Sequence, residues 1–493
     1  MSPRPRISII DAMADRNLFA PWFREAETWA AWRAFLAALF GLSMTPEQVE
    51  VYRRFTGRTA PPTAPATEAW LVCGRRAGKS FVLALIAVYL ACFCEWRQFL
   101  APGERGTVMV IATDRRQARV ILRYVRALLG QVPMLARMIE RETAEAFDLS
   151  NGVTIEVGSA SFKTVRGYTI VAALCDEMAF WPSEDSAQPD YEILDALRPG
   201  MATVPGAMLL CASSPYARRG ALWDAHRRHF GRDADPVLVW QAATREMNPT
   251  VPQRLIDQAT ERDAASAAAE YGAQFRTDIE SFVNRDAVEA CVSMDVRERA
   301  PMLDVSYWAF VDPSGGSADS MTLAIAHKED DVAVLDATRE RRPPFSPEDV
   351  VDEFSALLRS YRVSKVEGDR YAGEWPAEQF KKRGISYEPA SKPKSDLYRD
   401  LLPVINSRNV DLLDDPRLVA QIAGLERRTA RGGRDSIDHA PGAHDDLANA
   451  VAGVLSALGG YYYDTTNSWV GGDDDDQFNR HWRTSQYWGQ IIR

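Results

Sequence analysis

The segment Ala69-Trp70-Leu71-Val72-Cys73-Gly74-Arg75-Arg76-Ala77-Gly78-Lys79-Ser80 constrains this chain more than any other. It reads as a buried strand, a tight glycine loop and a long apolar helix from Phe81 to Phe93. In that context the backbone N–H groups of the loop and of the helix N-terminus point at bound phosphates. Gly74, Arg75, Arg76, Ala77 and Gly78 form the expected cradle. Lys79 is placed to reach the β- and γ-phosphates of ATP, and the Ser80 hydroxyl to hold Mg²⁺. The usual pattern opens with glycine where this chain has Cys73, and Gly74 follows it. The spacing to Gly78-Lys79-Ser80 is kept, so the segment is a variant P-loop.

Such a site needs a second apolar strand that ends in an acid, and Ile170-Val171-Ala172-Ala173-Leu174-Cys175-Asp176-Glu177 supplies one. Asp176 is expected to complete the Mg²⁺ shell through water and Glu177 to polarise the attacking water, so the pair implies hydrolysis as well as binding. In isolation the segment would be a core strand whose acids cap the next element. Behind a P-loop the catalytic reading prevails.

A chain of 493 residues exceeds one ordinary core and implies roughly two or three domains. Its apolar share of 46% and charged share of 26% are those of a soluble globular protein. The longest apolar run, Phe81 to Phe93, falls short of the roughly 20 residues of a membrane span. The N-terminus shows no basic-then-apolar leader, so the expected place is the cytoplasm, with no secretion. The six cysteines lack CxxC spacing, which points to neither zinc nor disulfides. A net charge of −10, fed in part by Asp473 to Asp476, gives a nucleic-acid partner no support. Any basic track must be local, such as Arg115-Arg116, or Arg427-Arg428 with Arg431 and Arg434.

The order of elements predicts an α/β protein. Residues 1–245 read as a P-loop ATPase domain, a parallel sheet with helices on both faces, carrying an N-terminal helical extension. In that extension Trp29, Trp32, Phe35, Leu36 and Phe40 share a helix face, a packing stripe that could also lie near the nucleotide base. Asn151-Gly152 marks a hairpin within Phe147 to Val157. Residues 246–300, helical from Gln253 to Phe275, read as a linker subdomain. In residues 301–460 three short strands (Tyr307 to Val311, Met321 to Ala326, Val332 to Leu335) precede a helix capped by Ser346-Pro347-Glu348-Asp349 and a strand from Val363 to Gly368. That is the order of an RNase H-like domain. Residues 461–493 read as an extended C-terminal tail.

Acids stand at element ends in this second half. Asp312 closes the first strand, Asp369 follows the fourth, and Asp445 and Asp446 open the last helix, with Asp319 and Glu367 in reserve. In an RNase H-like sheet the first and fourth strands are neighbours and the last helix crosses their ends, so these carboxylates are expected to converge. Two Mg²⁺ or Mn²⁺ ions about 4 Å apart would offset their repulsion and clamp a phosphodiester. Any one of these acids alone would be an ordinary surface residue, and His444 beside them an ordinary local cap.

Together these residues resemble the large subunit of tailed-phage terminases, over about residues 20 to 460. The segments that carry the resemblance are Gly74 to Ser80, Ala112-Thr113-Asp114-Arg115-Arg116-Gln117-Ala118, Leu174-Cys175-Asp176-Glu177, Cys211-Ala212-Ser213-Ser214-Pro215, Asp312-Pro313, Gly368-Asp369-Arg370-Tyr371 and His444-Asp445-Asp446-Leu447. The resemblance implies ATP-driven translocation of double-stranded viral DNA into a procapsid and metal-dependent cutting of concatemeric DNA. It implies a portal protein and a terminase small subunit as partners, and a ring, typically a pentamer, at the portal vertex in the host cytoplasm. It also implies that Ser213-Ser214-Pro215 couples hydrolysis to DNA movement and that an arginine completes a neighbouring subunit's site. Arg166 is the candidate, with Arg75 or Arg76 as alternatives acting in cis. Two rival readings are a motor whose C-terminal domain has lost its chemistry and a protein that binds ATP without turnover. The filled acidic positions oppose the first and Glu177 opposes the second.

Overall fold

The strands of the first half are β1 (Glu68–Cys73), β2 (Gly106–Ala112), β3 (Ile139–Glu142), β4 (Ala146–Leu149), β5 (Val153–Ser159), β6 (Thr169–Asp176), β7 (Met208–Ser213) and β8 (Val237–Ala242). Most of them are apolar runs, and β1 is followed by glycine while β6 ends in an acid. The computed structural model describes residues 5–160, 167–181, 189–317, 319–369, 375–429 and 435–459, so Arg166 and the tail from 461 lie outside the described residues. The sheet order is β3-β4-β5-β2-β6-β7-β1-β8. Its pairs are parallel except β3–β4 and β4–β5. The latter is the hairpin expected around Asn151-Gly152.

The sheet is buried on both faces, which is why β1 reads as a nearly continuous apolar run. Ala69, Leu71 and Cys73 pack into a core shared with the helices Lys79–Phe93 and Arg115–Gly130. Trp70 and Val72 face the helices Pro189–Met201 and Gly220–His229. The N-terminal stripe joins the first core, with Trp32, Phe35 and Leu36 buried there.

The helical stretch read from Gln253 to Phe275 divides into Gln253–Arg262 and Ala264–Glu270. Asp263 breaks it: its extended backbone and its carboxylate, which accepts from the Ala265 and Ser266 N–H groups, start a new helix. From Ile279 the chain contributes strands and apolar side chains to the second half. β9 (Ile279–Ser281) and β10 (Val292–Ser293) pair with distant strands, and Phe282, Val283 and Val288 enter the C-terminal core.

Those strands are β11 (Tyr307–Asp312), β12 (Met321–Glu329), β13 (Val332–Arg341), β14 (Lys365–Gly368), β15 (Ser386–Pro389), β16 (Val410–Leu413), β17 (Glu426–Thr429) and β18 (Asp435–Asp438). The main sheet runs β10-β16-β13-β12-β11-β14-β15, and β18-β17-β9 forms a small sheet. β11, β12 and β13 are an antiparallel meander, and β14 joins β11 in parallel. This is the RNase H-like order. β12 and β13 outrun the sequence expectation because their polar ends still pair. The helix Asp446–Gly459 lies against one face, so close that a Cβ on Gly453 would come within 2.3 Å of the Phe310 ring. The helix Pro347–Ser360 covers the other face through Val350, Val351 and Phe354. Among the described residues no helix is long and apolar enough to cross a membrane.

Candidate functional site

The P-loop joins β1 to the helix Lys79–Phe93. Gly78 adopts φ +105°, a conformation that favours glycine, and Arg76 is also left-handed at φ 66°. Gly74 is required for space: a Cβ there would stand 2.2 Å from Thr244 Oγ1 and 2.7 Å from the Tyr271 carbonyl. Cys73, where glycine was expected, is the buried last residue of β1, paired with Ala242, and burial pushes its thiol up to about 12. The turn therefore begins one residue later than in the usual pattern.

Outside contacts hold the loop in shape. Thr244 Oγ1 donates to the Arg75 carbonyl (2.8 Å), Asn248 Nδ2 to the Arg76 carbonyl (2.9 Å) and Trp32 Nε1 to the Ala77 carbonyl (2.9 Å). The cradle differs from expectation in one respect. The Gly74 N–H donates to the Ala242 carbonyl and the Arg75 N–H to the Glu270 carbonyl, so both anchor the loop to neighbouring elements. The exposed Arg75 guanidinium also turns to Glu270, 3.2 Å away. A cavity of about 330 Å³ lies beside Ala77 and Gly78, walled in part by Trp22, Trp29, Trp32 and Asn248. The N-terminal stripe thus packs the core and also borders the loop.

The acids of β6 meet the loop. Ser80 Oγ donates to Asp176 Oδ2 at 2.7 Å, and Gln117 Nε2 reaches both, at 3.1 and 3.0 Å. Asp176 is fully buried, and its Oδ1 has no hydrogen-bond partner. Burial first, then the charge of Glu177, hold this carboxyl above its usual range, against the pull of Gln117, Lys79 and Ser80. An orphaned buried oxygen beside a serine hydroxyl suits the water shell of Mg²⁺, which prefers oxygen donors. Lys79 is buried, with Nζ 3.0 Å from the Cys73 carbonyl and 3.1 Å from Glu177 Oε1. Glu177 sits at φ 51°, an uncommon backbone for a side chain of its kind. Its Oε2 accepts from the Ser214 N–H (3.1 Å) and from the Ser213 and Ser214 hydroxyls (both 3.3 Å). Nothing in the spacing around Gln117 singles it out, although it lies in the helix start Asp114-Arg115-Arg116-Gln117.

In the second half Asp312 ends β11 and Asp369 follows β14, its parallel neighbour, with Val311 paired with Gly368. Asn449 Nδ2 donates to Asp312 Oδ2 at 2.8 Å. The Asp312 carboxyl is pushed up to about 8, first by desolvation and then by the charges of Asp446 and Asp369. Asp446 Oδ2 accepts from the Ser320 N–H at 3.3 Å, and its carboxyl is raised by burial, then by Asp445. The neighbouring Asp445 is engaged differently: it is buried, and Lys394 Nζ (2.7 Å) and Tyr398 Oη (2.8 Å) both donate to it. The two adjacent acids therefore have separate surroundings.

The charges of Asp446 and Asp369 both act on Asp312. Among the described residues, the group whose candidate ligand atoms all lie within 4.8 Å is Asp438, His439 and Asp445. An all-carboxylate donor set at converging element ends still suits hard divalent cations. Lys394, Tyr398 and Asn449 were not singled out from the sequence, and only Asn449, one helical turn beyond Asp446, left a signal there. Arg427 and Arg428 do not form a free basic track. Arg428 is paired with Glu426 at 3.2 Å and Arg427 lies 3.8 Å from Asp435, while Arg431 and Arg434 lie outside the described residues.

No protein-family model matches the sequence, and no curated protein does. Among solved structures, the HK97 bacteriophage large terminase matches with 16% identity and TM-score 0.37, over 87% of this chain and 99% of that one. The large terminase of a thermophilic bacteriophage, in complex with ATP-γ-S, matches with 12% identity and TM-score 0.35, over 79% and 93%. The large terminase nuclease of thermophilic phage G20c matches with 17% identity and TM-score 0.32, over 36% of this chain and 98% of its own. These three solved structures, to which this chain is similar, are phage large terminases.

Proposed function

We propose that this protein is a terminase large subunit, which moves double-stranded viral DNA into a procapsid by ATP hydrolysis and cuts concatemeric DNA in a metal-dependent step. The observation that carries the reading is the presence in one chain of a P-loop site with Glu177 held between Lys79 and Ser214, and of Asp312, Asp369 and Asp446 at converging ends of an RNase H-like sheet.

At the first site Lys79 would meet the β- and γ-phosphates of ATP, and the cavity beside Ala77 and Gly78 would take the base. Ser80 and Asp176 would hold Mg²⁺, whose charge offsets that of the phosphates. Glu177, freed from Lys79 as the phosphates take over that ammonium, would orient the attacking water and accept its proton. The Ser213-Ser214 contacts would pass the change to the following loop. Arg166 is proposed as the arginine that enters a neighbouring subunit's site, with Arg75 tied to Glu270 as the weaker alternative. At the second site Asp312, Asp369 and Asp446 would hold Mg²⁺ or Mn²⁺, which activates water and stabilises the leaving oxygen when bound. The proposed partners are double-stranded DNA, the portal protein and the small subunit, with a pentameric ring at the portal vertex in the host cytoplasm.

Cleavage of supercoiled plasmid in Mn²⁺, with EDTA and Asp369→Ala as controls, tests the nuclease. Nicking and linearisation that disappear in both controls support the reading, whereas equal cutting by the variant removes Asp369 from it.

A further inference from the structure

We propose that the cleft between the two halves binds a single nucleic-acid strand, so that the P-loop half supplies part of the nuclease's substrate surface through Arg218 and Trp223. This rests on the nuclease reading above. A cavity of about 770 Å³ is walled by Arg218, Trp223 and Arg227 from the first half and by Arg285, His439 and His444 from the second. Two of its lining residues border the carboxylates: His444 Nδ1 lies 3.9 Å from Asp446, and His439 Nε2 lies 3.8 Å from Asp438 and 4.0 Å from Asp445. A space of this size holds a small ligand or a short stretch of one strand, not a duplex.

The chemistry of the wall fits such a strand. Arg218 is exposed, and its guanidinium stands 5.5 Å from the centroid of the Trp223 ring. An arginine beside an indole offers a cation to a phosphate and a flat face to a base, the pairing used for single strands. The acids that face the cleft have partners of their own. Asp190 accepts from the Ala221 N–H at 2.7 Å, and Asp224 accepts from Tyr191 at 2.7 Å and pairs with Arg227 at 3.3 Å. With a net charge of −10 the chain needs a local cationic surface to hold a polyanion near its carboxylates. The two walls are also fixed to each other, because Tyr216 and Arg219, on either side of Arg218 in the chain, both bond Glu426 of β17.

The test uses the full chain and its Arg218→Glu and Arg218→Lys variants. Binding of a labelled single-stranded oligonucleotide is followed by anisotropy without metal and over a range of salt. Plasmid nicking in Mn²⁺ is measured in parallel. Arg218→Glu is expected to weaken oligonucleotide binding about five- to tenfold, to lower the salt slope by about one charge and to raise KM more than it lowers kcat. Arg218→Lys should restore most of the binding, and unchanged thermal unfolding would show that the fold is intact. Wild-type affinity and salt slope in Arg218→Glu, or no oligonucleotide binding by the wild type, would overturn the cleft. Failure of the wild type to nick plasmid would instead overturn the nuclease reading, and the anisotropy would still judge the cleft.

Discussion

Tyr216 donates its hydroxyl hydrogen to the fully buried carboxylate of Glu426, 2.7 Å away, and so ties the segment after β7 to β17 of the second half. Arg219 and Arg428 share the same carboxylate. Ser214, two residues before Tyr216, holds Glu177. Removing the acid would leave two partly buried guanidinium groups without it, so Glu426→Ala should cost about 3–5 kcal/mol, and Tyr216→Phe about 1–3 kcal/mol. Denaturant unfolding gives both numbers, and a wild-type midpoint for Glu426→Ala would refute this account of the junction.

Lys79 and Glu177 form an ion pair at 3.1 Å, which on the proposed function bound ATP would open. Glu177→Gln should keep ATP binding and lose roughly 10²–10⁴-fold in turnover. Lys79→Ala should lose turnover yet still cut plasmid, since the two sites use separate residues. Phosphate release and plasmid nicking, measured on the same preparations, would expose the error if both activities fell together.

The crowding around Gly74 predicts that even a methyl group is not tolerated. Gly74→Ala should destabilise by about 1–3 kcal/mol as Thr244 and the Tyr271 carbonyl move away. It should also weaken ATP binding, because Thr244 sets the loop through the Arg75 carbonyl. Calorimetric titration with a slowly hydrolysed ATP analogue measures the second effect.

Asp312 carries a pH signature. Its folded carboxyl titrates near 8, well above the usual carboxylate value of about 3.9. Between those values the folded state holds a proton that the unfolded state has lost, so the contribution of Asp312 to stability falls as pH rises through that window. In EDTA, Asp312→Asn should therefore flatten the decline in Tm between about pH 5 and pH 8. Parallel curves for variant and wild type would show that the shift is not felt.

Asp445 and Asp446 should separate by phenotype. Asp446→Asn is expected to lose Mn²⁺-dependent nicking with little change in Tm. Asp445→Asn should lose stability, because Lys394 and Tyr398 would face a neutral amide. Swapped outcomes would reassign the ligand.

Much of this molecule can be read along the chain. The strand, loop and helix around Lys79, the Asn151-Gly152 hairpin and the meander ahead of β14 are local patterns of apolar spacing and turn residues, set over a few positions. The carboxylates at strand ends belong to the same class. Other features depend on residues that are far apart in sequence. Gln117 reaches Ser80 and Asp176 from a different helix, and Lys394 reaches Asp445 from a helix start beyond β15. Asp263 looked like one more polar residue of a long helix, and its side-chain cap divides that helix.

The sequence by itself determined that this protein has a phosphate loop, a paired acid and a set of strand-end carboxylates in a particular order. Only the tertiary structure decided that Asp445 bonds Lys394 and Tyr398 whereas its neighbour Asp446 accepts from the Ser320 N–H, and that Cys73 lies buried ahead of the loop. It also decided that Glu426 joins the two halves. The physical reason is directional. Neighbouring residues at a helix start point about 100° apart, so a shared place in the chain says little about a shared environment. What each side chain meets there is set by elements that the chain brings back from a distance.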